Sequence, residues 1–141
     1  MTTRPRVLIA EDQALIRLDL ERLLDAAGFD VCGSARDGQE AVELARDLHP
    51  DIVLLDVKMP RLDGIEAARQ ILADYTVPIV MLTAYGYGEV ISRAVDVGVV
   101  GFVVKPFKES ALIDALRQAG RSTPDPAGLS YLGLPPQRAD V

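Results

Sequence analysis

The sequence predicts an α/β protein built on a doubly wound, parallel β-sheet. Five short runs rich in Val, Ile and Leu are typical of strands that are buried on both faces. Each run is followed by a segment in which apolar residues recur at helical spacing, and short turns join the segments. Such an alternation predicts parallel strands, helices on both faces of the sheet and right-handed crossovers. It does not predict the order of the strands.

The composition is that of one acidic domain with a single core. The chain has 141 residues, of which 49% are hydrophobic and 26% charged, and its formal charge is −6. Because no basic surplus exists to neutralise phosphates, binding to nucleic acid or to an anionic membrane is not expected. No apolar run approaches the roughly 18 residues of a membrane span, and we expect a cytoplasmic protein. The one cysteine, Cys32, is expected to be a buried, reduced thiol.

The first two strands are each followed by an amphipathic helix. Residues 7–10 form a short β-branched run that leads directly into Glu11 and Asp12. A helix is predicted from Asp12 onward, and the two acids are candidates to cap it. Residues 29–34 predict the second strand, and a second helix follows it.

The other three strand–helix pairs complete the predicted domain. Strands are predicted at residues 52–56, 78–83 and 101–104, and helices at residues 65–72, 89–97 and 112–119. One folded domain is therefore expected at residues 1–120. Residues 121–141 hold four of the nine prolines and show neither a helical nor an alternating pattern. They are expected to form a Pro-rich linker or a disordered tail.

Polar side chains follow four of the five predicted strands. Glu11 and Asp12 follow the first, Asp56 ends the third, Thr83 ends the fourth and Lys105 follows the fifth. In a parallel sheet these strand ends lie at one edge, outside which ligands bind. Carboxylates held together repel unless a cation offsets them, and oxygen ligands without Cys or His favour Mg²⁺. Asp56 could then accept a phosphoryl group, because a carboxylate can act as a nucleophile.

These residues lie in motifs that resemble the receiver domain of two-component response regulators. The motifs are Glu11-Asp12, Asp56 with Met59-Pro60 and Asp63-Gly64 after it, Thr83-Ala84, and Lys105-Pro106-Phe107. Their order and spacing cover roughly residues 5–119. The resemblance implies a flavodoxin-like fold of five strand–helix units with strand order 2-1-3-4-5.

The resemblance also implies a phosphoacceptor and a metal site. Asp56 would accept the phosphoryl group, and Asp12 and Asp56 would bind Mg²⁺ directly together with the backbone carbonyl of Lys58. Glu11 would act as a ligand through water. The side chains of Lys58 and Tyr85, each two residues beyond a key position, would tune the rate of hydrolysis.

The remaining roles concern phosphoryl binding and the switch. Thr83 and Lys105 would hold the phosphoryl oxygens, and Phe102 occupies the position of the switch aromatic residue. Because Phe102 lacks a hydroxyl, a signal would travel by burial of its ring; the alternative is that this ring is simply part of the core. The peptide bond before Pro106 is cis in this family.

The resemblance implies a signalling switch that a histidine kinase phosphorylates and that catalyses only its own phosphorylation and dephosphorylation. Phosphorylation would bias the surface formed by the fourth helix, fifth strand and fifth helix toward an output partner or a homodimer. Two alternatives stay open. The first is a Mg²⁺-dependent phosphohydrolase with an aspartyl nucleophile, although Lys58 stands where such enzymes place a general acid. The second is a degenerate receiver that only mediates protein contacts.

Two segments resemble a particular kind of receiver. Residues 11–20 and 56–68 look like receivers that precede an RNA-binding antitermination domain of the ANTAR type. That output domain is a helical module at the C-terminal side, and residues 121–141 do not show its pattern. We therefore expect either a stand-alone receiver or a fragment or variant of such a regulator without its output, and no RNA binding by these 141 residues.

Overall fold

The computed structural model describes residues 4–84 and 88–121. Within these residues, five strands alternate with five helices. The strands are β1 (Arg6–Ala10), β2 (Asp30–Ala35), β3 (Ile52–Asp56), β4 (Ile79–Thr83) and β5 (Gly101–Val104). They form one parallel sheet in the order β2-β1-β3-β4-β5. The predicted fold class and the strand order implied by the resemblance are both confirmed.

Each of the five strands is followed by one helix. They are α1 (Ala14–Ala26), α2 (Gly38–Leu48), α3 (Gly64–Asp74), α4 (Glu89–Val97) and α5 (Glu109–Arg121). The bounds predicted for α4 and β5 agree with the structure, and β2 is shifted by one residue from its predicted range. Residues 122–141, which include nearly all of the predicted linker or tail, lie outside the described residues.

The start of α1 differs from the prediction. This helix begins at Ala14 rather than Asp12, and its N-cap is Gln13, which makes no side-chain capping hydrogen bond. The interpretation of Glu11 and Asp12 as caps is therefore wrong. The carboxylate of Glu11 instead accepts hydrogen bonds from the backbone of Gln13 and from Lys105.

The core lies on the two faces of the sheet because side chains alternate along each strand. On one face, Leu8, Val53 and Leu55 pack with apolar residues of α2, α3 and α4. On the other face, Ile9 and Leu54 pack with apolar residues of α1 and α5. All five residues of β3 are buried, as expected for the central strand.

Cys32 is half-buried and not buried as predicted, although its thiol is free. It lies on β2, an edge strand of the sheet. The register between β1 and β2 shifts after Val7, so that Leu8 pairs with Gly33 and Cys32 is the extra residue. Periodicity alone could not reveal this irregularity, which removes Cys32 from the regular alternation of the strand.

Candidate phosphoryl-acceptor site

The strand order brings the predicted polar residues together at the carboxyl edge of the sheet. Because β1, β3, β4 and β5 are consecutive neighbours, the groups at their ends share one edge. Glu11 and Asp12 follow β1, Asp56 is the last residue of β3, Thr83 is the last of β4, and Lys105 follows β5. The edge surrounds a cleft of about 330 Å³, which is lined by Asp12, Gln13, Asp56, Val57, Lys58, Thr83, Ala84, Val90 and Lys105.

Lys105 connects two of the carboxylates. Its Nζ donates to Asp56 Oδ2 at 2.9 Å and to Glu11 Oε1 at 3.1 Å. The Glu11 side chain is fully buried, that of Asp56 is 9% exposed and that of Lys105 is 22% exposed. A buried charge requires a partner, and here one ammonium serves two carboxylates.

The backbone around Glu11 is held by contacts that the sequence did not reveal. The amide of Gln13 donates to Glu11 Oε2 at 3.1 Å, and the Glu11 amide donates to the Ala35 carbonyl at 3.0 Å. The guanidinium of Arg17 donates to the Glu11 carbonyl at 2.7 Å. A helix arginine that reaches back to a loop carbonyl has no signature in the apolar pattern, so sequence reasoning missed Arg17.

The electrostatics of the site follow from this crowding. Burial, together with the charge of Asp56, raises the pKa of Glu11 from 4.5 to about 7, against the opposing effects of the Gln13 amide and Lys105. Burial by itself would lower the pKa of Lys105, but hydrogen bonds and charge from Asp56 and Glu11 outweigh burial and raise it. The site therefore favours a cation and disfavours full ionisation of its acids.

The acidic residues could hold a metal ion. Carboxylate oxygens of Glu11, Asp12 and Asp56 all lie within 4.8 Å of one another, and Asp12 is exposed to the cleft side of the edge. Oxygen-only donors of this kind suit Mg²⁺, which prefers carboxylates and retained water. Burial is the largest cause of the raised pKa of Glu11 and the charge of Asp56 adds to it, so a bound cation would favour the ionised form of this carboxylate. The donor set thus fits the predicted ion.

The other predicted site residues are distributed around this cluster. Thr83 is 2% exposed, and Phe102 is 4% exposed within the core cluster of the α2, α3 and α4 face. The Lys105–Pro106 peptide bond is cis. The Lys58 side chain is exposed at the cleft. Tyr85 lies outside the described residues.

The loop after β3 is closely packed against Asp56. The amide of Lys58 donates to Asp56 Oδ1 at 3.2 Å, and the amide of Gly64 donates to the Val57 carbonyl at 2.8 Å. A β-carbon at Gly64 would collide with the Asp56 carbonyl oxygen, so the start of α3 can approach the end of β3 only as glycine. The Asp63-Gly64 motif is explained by this approach and by the Asp63 side chain, which accepts from the Glu66 amide and caps α3.

A family model, the response regulator receiver domain, matches residues 7–117. The chain belongs to the response regulator receiver family. It is 53% identical over 114 residues to the transcriptional regulatory protein PdtaR of Mycobacterium tuberculosis, covering 81% of this chain and 56% of that relative. It is 38% identical to the chemotaxis protein CheY of Thermotoga maritima, covering 82% of this chain and 98% of CheY. The receiver thus spans little more than half of PdtaR and nearly all of CheY.

Solved receivers share the same fold. The CheX–CheY–BeF3–Mg²⁺ complex from Borrelia burgdorferi matches with a TM-score of 0.80 and 27% identity, over 85% of this chain and 92% of that one. The family match makes this chain a receiver of two-component signalling and does not favour the phosphohydrolase alternative. Among residues 4–84 and 88–121, no helix is long and apolar enough to cross a membrane.

Proposed function

We propose that this receiver accepts a phosphoryl group on Asp56 from a sensor histidine kinase. The observation that carries the proposal is the position of the Asp56 carboxylate. It ends the central strand, opens into the cleft and meets the Lys105 ammonium at 2.9 Å. No other carboxylate lining that cleft combines a nearly buried, oriented oxygen with an adjacent ammonium, since Asp12 is exposed.

The reaction is a displacement at phosphorus. An oxygen of Asp56 forms the new O–P bond while the P–N bond to the kinase imidazole breaks, and the leaving nitrogen takes a proton from solvent. Lys105 and Thr83 bind the equatorial oxygens as charge develops on them. Because Lys105 already contacts Asp56, its ammonium is in place before the phosphoryl group arrives.

Mg²⁺ is proposed as the cofactor. Asp12, Asp56 and the carbonyl of Lys58 would bind it directly, and Glu11 would contact it through water. The ion would supply positive charge at the phosphoryl oxygens. The cluster of three carboxylates supports this assignment, as does the presence of BeF3 and Mg²⁺ with the CheY of the Borrelia complex.

The surface formed by α4, β5 and α5 is proposed to bind the output partner. Phe102 lies on β5, which is an edge strand of the sheet. Val104, two residues later on the same strand, is 41% exposed. A shift of Thr83 and of the Phe102 ring would change this surface, which would then bind an output partner or a second receiver. In this proposal the receiver comprises residues 1–120, and residues 121–141 are a Pro-rich linker or a disordered tail. Lys58 and Tyr85 set the lifetime of the phosphorylated state.

The likeness to PdtaR, a transcriptional regulatory protein, supports a role in transcriptional regulation. Together with the resemblance of residues 11–20 and 56–68 to receivers of antitermination regulators, we propose the receiver part of such a regulator, acting in the cytoplasm. The match covers 56% of PdtaR's length. The formal charge of −6 offers no basic surplus to neutralise phosphates, and we expect these 141 residues not to bind RNA or DNA. The receiver would act on no separate substrate and would catalyse only its own phosphorylation and dephosphorylation.

The test is phosphorylation with a small acyl phosphate in the presence of Mg²⁺, followed by intact-mass analysis. We expect a gain of one phosphoryl group, lost with EDTA and lost in Asp56→Asn. Asp12→Asn should slow the gain, and Asp51→Asn, at the opposite edge of the sheet, should leave it unchanged. A wild-type chain that gains nothing would disprove the proposal, and steady hydrolysis of a generic phosphate ester would favour the phosphohydrolase.

A further inference from the structure

We propose that the turn at Asp37-Gly38, where α2 begins, positions the loop at residues 57–63 and so sets the affinity of the site for Mg²⁺. None of the residues in this turn lines the cleft. The inference rests on the proposed function, because the loop carries the Lys58 carbonyl that would face the metal.

The first observation is a contact between two backbones. Gly38 is buried, and a β-carbon there would collide with the carbonyl oxygen of Leu62 and lie 2.9 Å from Leu62 Cβ. Close approach at this point involves main chain, which cannot rotate away as the end of a side chain can. Any side chain at position 38 must therefore displace either the loop or the start of α2.

The second observation is an ion pair across the same contact. Arg61 Nε lies 3.4 Å from Asp37 Oδ2; the Asp37 side chain is 13% exposed and that of Arg61 is 65% exposed. Arg61 has a φ of 70°, a left-handed conformation that is strained for a residue with a side chain. The Asp37 carboxylate also accepts from the Glu40 amide at 2.8 Å. The loop is thus attached to a residue that α2 already holds in place.

The third observation is that the other end of the loop is attached to the phosphoacceptor. Gly64 packs on the Asp56 carbonyl and its amide donates to Val57. Lys58 donates its amide to Asp56 Oδ1, and Leu62 donates to the Pro60 carbonyl at 2.7 Å, which tightens the intervening turn. With both ends attached, a displacement of Leu62 would be taken up within residues 58–63, which include the Lys58 carbonyl. The position of the Lys58 carbonyl therefore depends on Gly38.

Gly38→Ala is the principal variant, measured in the full 141-residue chain. The matched control is Gly33→Ala, whose β-carbon would meet the end of the Leu48 side chain at 2.8 Å and that of Leu8 at 3.3 Å. Both changes crowd the same region of β2 and α2, but only the first presses on the loop. The measurements are Mg²⁺ affinity by calorimetric titration and amide exchange of Leu62 and Gly64 in metal-free protein.

We expect Gly38→Ala to weaken Mg²⁺ binding about 10-fold, the lower end of the range for residues that orient metal ligands. Exchange at Leu62 and Gly64 should become faster in the absence of metal, which a loss of ion binding by itself would not cause. In phosphorylation assays the KM for Mg²⁺ should rise while the rate at saturating Mg²⁺ changes little. Gly33→Ala should match the wild type in all three measurements.

Arg61→Gly provides a second variant that keeps the left-handed backbone and removes the ion pair. We expect a smaller loss of Mg²⁺ affinity, restored in Arg61→Lys, and this pair decides the matter if Gly38→Ala does not fold. Unchanged Mg²⁺ affinity in every folded variant would overturn the inference. The proposed function would survive that result as long as the wild type still gains a phosphoryl group on Asp56, whereas a wild type that gains none would disprove the proposed function itself.

Discussion

Charged side chains have different surroundings at the two edges of the sheet, the carboxyl edge, where the strands end, and the amino edge, where they begin. At the carboxyl edge, the acids Glu11, Asp12 and Asp56 cluster beside one ammonium, that of Lys105. At the amino edge, charged side chains meet backbone groups at the ends of helices. At the carboxyl edge, negative charge exceeds positive charge. At the amino edge, the charged side chains find hydrogen-bond partners in the nearby backbone.

Two arginines show how the amino edge is closed. Arg4 donates to the carbonyls of Asp25 at 2.9 Å and of Phe29 at 2.8 Å, just where α1 ends. Arg6 donates to the carbonyls of Leu48 at 2.9 Å and His49 at 3.1 Å, where α2 ends. Cations suit the C-terminal ends of helices, whose last carbonyls have no partner inside the helix. These hydrogen bonds stabilise the ends of α1 and α2.

The contrast shows where binding capacity comes from in this fold. Both edges carry acids and bases, so composition does not distinguish them. The two edges differ in what surrounds their charged side chains. At the amino edge the arginines contact backbone carbonyls, whereas at the carboxyl edge the carboxylates lie close to one another. The carboxyl edge keeps carboxylates close together at a cost in stability, and a cation from solution can recover that cost.

The largest expected effect is the pH dependence caused by Glu11. Its pKa in the folded protein is raised above 4.5 to about 7, so the folded state binds this proton more tightly than the unfolded state. The free energy of unfolding of metal-free protein should therefore fall as the pH rises from about 4.5 through 7, by about 3 kcal/mol in total. Urea unfolding in EDTA across this range measures it.

Glu11→Gln isolates this contribution. The variant should lack the pH-dependent loss, so the difference between wild type and variant should grow with pH and level off above about pH 8. Equal slopes for the two proteins would show that Glu11 ionises freely in the folded state and that the carboxyl edge is not strained by charge.

Lys105→Met should produce the next largest effect. At about pH 8 without metal, removing the ammonium leaves Glu11 and Asp56 unpaired and should cost about 2 kcal/mol, less than for a fully buried pair because Lys105 is 22% exposed. The raised pKa of Lys105 means that the charge is fully present at this pH. Mg²⁺ should restore part of the loss, because a second cation replaces the first. If Mg²⁺ did not reduce this loss of stability, the carboxyl edge would not differ from the amino edge in its response to a cation.

Arg6→Met tests the amino edge. It removes the two hydrogen bonds to the last carbonyls of α2, and we expect a loss of about 1 kcal/mol. Since the proposed Mg²⁺ site lies at the opposite edge, the loss in urea unfolding should be the same with Mg²⁺ and with EDTA. A loss that depends on Mg²⁺ would mean that the two edges are coupled.

Arg46→Met should have the smallest effect. Arg46 pairs with Asp74 at 3.1 Å, but their side chains are 59% and 40% exposed. An exposed pair of this kind contributes less than about 0.5 kcal/mol. The thermal midpoint should stay close to that of the wild type at low and high salt. A clear drop at low salt would show that surface charge matters more at the amino edge than its geometry indicates.

Local patterns predicted most of the fold and named the residues of the candidate site. Helix α4 and strand β5 agree with their predicted ranges because their apolar spacing is local and strong. The polar strand ends were visible because each interrupts an apolar run. The start of α1 was mispredicted because the Glu11 carboxylate does not cap the helix and instead accepts a hydrogen bond from Lys105. Lys105 lies 94 residues away, beyond the reach of any local pattern.

The sequence by itself determined which residues end the strands, since alternation and periodicity are properties of neighbouring residues. Only the tertiary structure decided how those ends are shared: that Lys105 serves both Glu11 and Asp56, that Arg17 holds the Glu11 carbonyl, and that Gly38 admits the loop beside Asp56. These contacts join residues far apart in the chain through backbone atoms and buried charge. Their energies depend on distance and burial, which exist only once the sheet has formed.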